Sequence, residues 1–218
     1  MNKLVIIVLV LGAIVLDGCK QIDATKRNSI ELIDQRGLKL GTVVFRLPLE
    51  FDTTYSWLST SDCMCCESVL YRSNSKNYDI IKESGFFHEE ELDSGFYFTI
   101  GHYPVIQCDT QGPPSWDTNP MSPAKILEQN IGYFIKDLSK RTEGVVPEVV
   151  VDTGRIINDH EYNILYFNEL LGHNPFNKLT ASTEHHNRSI SFTIQSNVHS
   201  KDSFYLIAMN ILKSVTIR

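Results

Sequence analysis

Ser189-Ile190-Ser191-Phe192-Thr193-Ile194-Gln195 (SISFTIQ, residues 189–195) alternates polar and apolar side chains without a break. Ile190, Phe192 and Ile194 share one face, and a period of two marks a strand with one buried side. The segment after it changes period. Ser200 stands where a helix N-cap belongs, Asp202 suits the positive end of the helix dipole, and Phe204, Ile207, Ala208 and Ile211 form one inward stripe. Val215-Thr216-Ile217 then predicts a short closing strand. Strand and helix here must share a core, which sets the class as α+β.

Upstream, residues 145–152 and 162–170 read as strands joined across Asn158-Asp159-His160. Before them, residues 122–144 predict a helix. Ser122 caps it, Pro123 suits its first position, Leu127, Ile131, Phe134 and Leu138 make its stripe, and Lys136, Lys140 and Arg141 fall late. Residues 111–120 hold three prolines and one glycine and predict a loop carrying Trp116. Phe96-Tyr97-Phe98-Thr99-Ile100 repeats the period of two. Residues 68–72 and 78–83 are short β candidates on either side of the turn-rich stretch 73–77. Residues 42–47 (TVVFRL) predict a strand that Pro48 ends or confines to an edge. The sum is one α+β domain over residues 41–218, with a mainly antiparallel sheet and helices packed on it.

This order of elements, and the ending NILKSVTI (residues 210–217), resemble the PsbP/Mog1-like α-β sandwich. The resemblance implies helices flanking an antiparallel sheet and a binding or assembly role. It carries over no functional residue.

The N-terminus has a different character. Lys3 precedes an unbroken apolar run from Leu4 to Leu16, and Asp17-Gly18-Cys19 follows. The run fits a signal-peptide core and falls short of the roughly 18 residues of a spanning helix. The positive start, apolar run and Leu-x-Gly-Cys ending resemble a bacterial lipoprotein signal. The resemblance implies a signal peptide over 1–18, cleavage after Gly18 and acyl chains of the palmitate kind on Cys19. Asp17 departs from the small or apolar residue usual there. Residues 19–40 then read as the lipidated Cys and a polar tether. Extended, its stretch from Lys20 to about Gly37 would hold the domain up to about 60 Å from the bilayer at 3.3–3.6 Å per residue.

The expected partners are therefore the membrane, through the lipid anchor, and a protein of the cell envelope. A formal charge of −6 speaks against nucleic acid, which needs basic surface to neutralise phosphates. The expected setting is the periplasm or exterior, where disulfides persist. Cys63, Cys65, Cys66 and Cys108 are the disulfide candidates. A bond between neighbours Cys65 and Cys66 is strained, so one bridge is expected from the 63–66 cluster to Cys108.

Chemistry is harder to find. Cys63-Met64-Cys65-Cys66 contains C-x-x-C, but the sequence after it reads as strand, not the helix whose N-terminus activates a thiol. No second C-x-x-C stands downstream at zinc spacing. His88-Glu89 and His160-Glu161 begin like H-E-x-x-H, yet Leu92 and Ile164 fill the second histidine's place. His173, His185 and His186, near Glu184, are candidate metal ligands, although such a group is more often a solvated loop. Trp57 and Trp116 are candidate ligand-binding aromatics, the alternative being that they anchor core or loop. There is no nucleophile elbow, P-loop or dinucleotide fingerprint. The expectation is a non-catalytic binding or assembly module without a cofactor. The alternative is an extracytoplasmic hydrolytic or thiol-dependent enzyme whose site the fold assembles.

Overall fold

The structure is a computed structural model, and it describes residues 25–34, 37–59, 68–75, 77, 94–104, 132, 135–136, 149–171, 174–186 and 188–218. The elements are β1 (Thr25–Ile33), β2 (Lys39–Pro48), β3 (Thr53–Ser59), β4 (Ser68–Asn74), β5 (Phe96–Pro104), β6 (Val150–Ile157), β7 (His160–Leu171), β8 (Asn174–His185), β9 (Arg188–Ser196), α1 (Lys201–Lys213) and β10 (Thr216–Ile217). They form a three-stranded sheet, β1-β2-β10, and a seven-stranded sheet, β3-β4-β5-β9-β8-β7-β6. Each neighbouring pair of strands is antiparallel. The protein is a sheet-dominated α+β fold.

The alternation that marked β5 and β9 does place one face in the core. Phe98 pairs with Ile194, and Ile100 with Phe192, all of them at most 1% exposed. The small sheet supplies the opposite wall, with the Phe45 and Phe98 rings 4.9 Å apart. Phe204, Ala208, Met209, Ile211 and Leu212 of α1 close the same core. Phe204 and Tyr205 both lie against Tyr166 of β7, at 5.9 and 5.4 Å. Burial of large apolar side chains on this scale is the main source of stability, about 1.5–3 kcal/mol for each.

Side chains and backbone fasten the ends of α1. Ser200 is its N-cap residue, but only the Ser200 carbonyl is used, accepting from the Phe204 N–H; the hydroxyl makes no cap. At the other end Ser214 Oγ accepts from the Arg46 N–H at 2.8 Å and donates to the Ile211 carbonyl at 2.6 Å. Asn158, in the β6–β7 turn, donates from Nδ2 to the Lys213 and Val215 carbonyls. Asn158 and Asp159 both have positive φ, 48° and 67°, a conformation Asn and Asp tolerate better than most residues.

Two expectations change, at residues 25–33 and 174–185, and the expectation that Pro48 ends its strand holds. Thr25–Ile33 is a strand, not tether or helical turn, so the folded part begins before residue 41. Its first half is polar because edge pairing runs through the backbone, and only Ile30, Leu32 and Ile33 reach the core. Pro48 ends β2, and the strand is central in its sheet, between β1 and β10. Asn174–His185, whose ends looked like loop, is a central strand of the large sheet. Of the predicted helix over 122–144, Gly132, Ile135 and Lys136 are helical and the rest lies outside the described residues, as does the β candidate at 78–83.

β6 forms one border of the large sheet. Val150, Val151 and Ile156 on it are 41%, 41% and 66% exposed. Its pairing with β7 slips between Thr153 and Arg155, at Gly154 with φ 76°. A β-bulge with glycine in the left-handed region accounts for that slip.

Candidate functional site

The core face of the large sheet changes character toward one end. Following β5 along its inward positions gives Phe96, Phe98, Ile100 and then His102. Following β9 the other way gives Ile194, Phe192, Ile190 and then Arg188. The antiparallel register brings the two polar ends to the same edge. His185 of β8 pairs with Arg188, and His160, which starts β7, lies with its ring 5.4 Å from that of His185. The His186 ring lies 4.0 Å from that of His185, tilted by 33°. Four of the chain's seven histidines thus gather at this end of the sheet, with Arg188 among them.

His102 is the buried floor of this cluster, 1% exposed. Its Nδ1 lies 2.8 Å from Arg188 Nη2. An arginine only donates, so Nδ1 accepts and the neutral ring carries its proton on Nε2. Burial first, and the Arg188 charge second, push the imidazole pKa down to about 4; the Ile33 backbone and the Asp34 carboxylate oppose them weakly. Ser68 Oγ donates to the His102 carbonyl and accepts from its N–H, fixing the backbone below the ring. Burial also lowers the Arg188 pKa, against the pull of Asp34. His185 is lowered by burial, then by His186 and His160. One row further in, Tyr162 is fully buried, and burial raises its hydroxyl to about 12.

Buried polar atoms normally have partners. Among the described residues, Tyr55 Oη and Asn74 Oδ1 are buried side-chain atoms with no hydrogen-bond partner, and four more gather here: His102 Nε2, Arg188 Nε, His185 Nε2 and Tyr162 Oη. All four lie at this end of the inner face.

The opposite face of the same sheet holds Trp57. Its ring lies under the Arg72 guanidinium at 4.8 Å, and Tyr97 takes a second side of that group at 5.9 Å. Arg72 Nε donates to Thr99 Oγ1 at 2.9 Å, and Tyr55 leans on Trp57 at 5.6 Å. These contacts make Trp57 a half-buried wall for a buried cation, a structural use of the ring. A hollow of about 90 Å³ on this face is lined by Thr153, Asn163, Thr180, Ser182 and Ser191, none of them titratable near neutrality.

No family model matches the chain, and no curated protein matches it. Its structure is similar to the solution structure of cyanobacterial PsbP (CyanoP) from Synechocystis sp. PCC 6803. The two share 15% identity, with 92% of this chain and 96% of that one covered, at a TM-score of 0.43.

Of the metal candidates, His185 and His186 do meet, with His160 as their neighbour; His173 lies outside the described residues. Among the described residues no group of three or more His, Cys, Asp or Glu is placed to hold a metal ion. Cys19, Cys63, Cys65, Cys66, Cys108 and Trp116 lie outside the described residues. His102 and Arg188 were not singled out from sequence. One further step of the two alternations already recognised would have found them.

Proposed function

We propose that this chain is an extracytoplasmic lipoprotein, held to the membrane through Cys19, whose domain acts as a non-catalytic binding or assembly module. The observation that carries the reading is the N-terminal stretch itself, an apolar run ending in Leu16-Asp17-Gly18-Cys19. The PsbP/Mog1-like assignment belongs to the same proposal and rests on the order of elements in the sequence. Among the described residues no helix is long and apolar enough to cross a membrane, so attachment by a helical span of the folded part is not part of the reading.

The fold adds a constraint on distance. β1 begins at Thr25, which leaves residues 20–24 between the acylated Cys and the sheet. Fully extended, that spacer reaches about 20 Å at 3.3–3.6 Å per residue, a third of what the sequence alone implied. In this reading the domain works close to the bilayer surface. Several acyl chains at about 0.8 kcal/mol per buried CH2 give firm anchoring where one chain would not. The test is cell fractionation. Wild-type protein is expected in the membrane pellet and Cys19→Ser in the soluble fraction; a Cys19→Ser protein that still sediments with membranes overturns the anchor.

A further inference from the structure

We propose that Arg188 and His185 form a binding site for a small oxyanion, a carboxylate or phosphate group, at the polar end of the inner face, with His102 as the residue that positions Arg188. The inference names a ligand class for the binding module proposed above and takes its setting from that reading.

Three observations converge on it. First, Arg188 and His185 are directly paired across β8 and β9, which places their Cβ atoms about 4.5–5.5 Å apart. Second, Arg188 Nε and His185 Nε2 are both buried and both without a hydrogen-bond partner. A guanidinium has five donors and no acceptor, so an unused buried N–H on it calls for an acceptor, and an oxyanion is the acceptor its planar fork fits. Third, the fork is held in place. His102, itself 1% exposed, accepts from Nη2 at 2.8 Å and leaves Nε free.

The local charge agrees. The positive charge here is the Arg188 guanidinium, in a chain whose formal charge is −6; His102 is neutral, and burial disfavours the charged form of His185. The opposing charge is Asp34, which acts on both Arg188 and His102. One oxygen of Asp34 already accepts from the Leu38 N–H at 2.8 Å, within the β1–β2 turn. The mouth of the site is accessible, because His160, His185 and Arg188 are half-buried and His186 is exposed. A metal is the weaker ligand for this set, since the arginine repels cations.

The test is a titration of full-length, detergent-solubilised protein with inorganic phosphate and with acetate, followed by imidazole NMR and calorimetry. The expected result is saturable one-to-one binding that shifts the His185 and His102 resonances and raises the His185 pKa. Arg188→Gln should weaken it at least about tenfold, as loss of a charge-assisted fork does. His102→Asn should weaken it less and remove only the His102 signal. If Arg188→Gln does not fold, His185→Asn is the second variant, with the same direction expected. Vesicles with anionic phospholipid, compared with zwitterionic ones, separate a lipid headgroup from a free anion; competition by inorganic phosphate for either source supports the site. No saturable response to phosphate or acetate, affinity unchanged in Arg188→Gln, or a response to zinc alone would each overturn the proposal. Such a failure leaves the Cys19→Ser fractionation result standing, so the two readings fail separately.

Discussion

The inner face of the large sheet has two ends, built by the same strands in opposite styles. At one, Phe45, Phe51, Phe96, Phe98 and Phe204 are fully or almost fully buried and touch ring to ring, with Phe51 and Phe96 at 4.5 Å. At the other, the same rows end in His102, Arg188, His185 and His160. The first end contributes stability by removing apolar surface from water. The second gives some of it back, because buried polar groups without partners cost roughly 1–3 kcal/mol each. A chain that lays down four polar residues where its alternation called for apolar ones has departed from its own pattern at this end. Such departures are where binding function is sought first.

The largest expected effect lies at the aromatic end. Phe98→Ala should cost about 3–5 kcal/mol, read as a lowered urea midpoint with an unchanged slope. A loss under about 1 kcal/mol would mean that the two ends do not differ as described.

The second prediction uses pH and concerns the polar end alone. The His102 pKa falls from 6.5 unfolded to about 4 folded. Between those values the unfolded chain binds the proton more readily, so stability rises with pH across this window. The contribution is complete above pH 6.5, declines as pH falls and levels off near pH 4. It amounts to about 2–3 kcal/mol, read by chemical denaturation at several pH values. His102→Asn should flatten that part of the profile, whereas Phe98→Ala should lower the whole curve and leave its shape unchanged. A wild-type profile flat from pH 7 to 4 would contradict the buried neutral ring.

Much of this contrast stood in the sequence and part of it did not. The alternation of β5 and β9 and the stripe of α1 name the apolar core because water sorts side chains by period. Edge pairing is invisible to that rule. β1 pairs through its backbone, so Thr25, Lys26, Arg27, Asn28 and Ser29 look like tether while forming sheet. β8 hides for a related reason. Thr180, Ala181, Ser182 and Thr183 are small or polar, and their strand is central because its neighbours cover it. The polar end was legible only in fragments. His185 and His186 drew notice as adjacent histidines, but the pairing that brings His102 and Arg188 to them spans β5, β9 and β8, a long-range fact that no local pattern encodes.

Two smaller effects sharpen the comparison. Asn158→Ala removes both hydrogen bonds to the end of α1 and places alanine at positive φ. The expected loss is about 1–2 kcal/mol, together with faster amide exchange near Val215. A loss with no change at Val215 would show that the turn, not the tie to α1, is what matters. The smallest effect is at the Lys39–Glu31 pair, 2.8 Å apart with 76% and 48% of the side chains exposed. Lys39→Ala should leave the melting temperature unchanged within error, because an ion pair in water gains little. A clear drop would mean that charge at the β1–β2 end contributes more than its exposure allows.

The bulge at Gly154 has a consequence for how copies of this chain meet. Among the described residues β6 stands at a border of the large sheet, with Val150, Val151 and Ile156 exposed. A straight border of that kind would invite neighbouring molecules to zip into ribbons. A kink in mid-strand spoils the match between two such borders, so a single glycine works against that pairing.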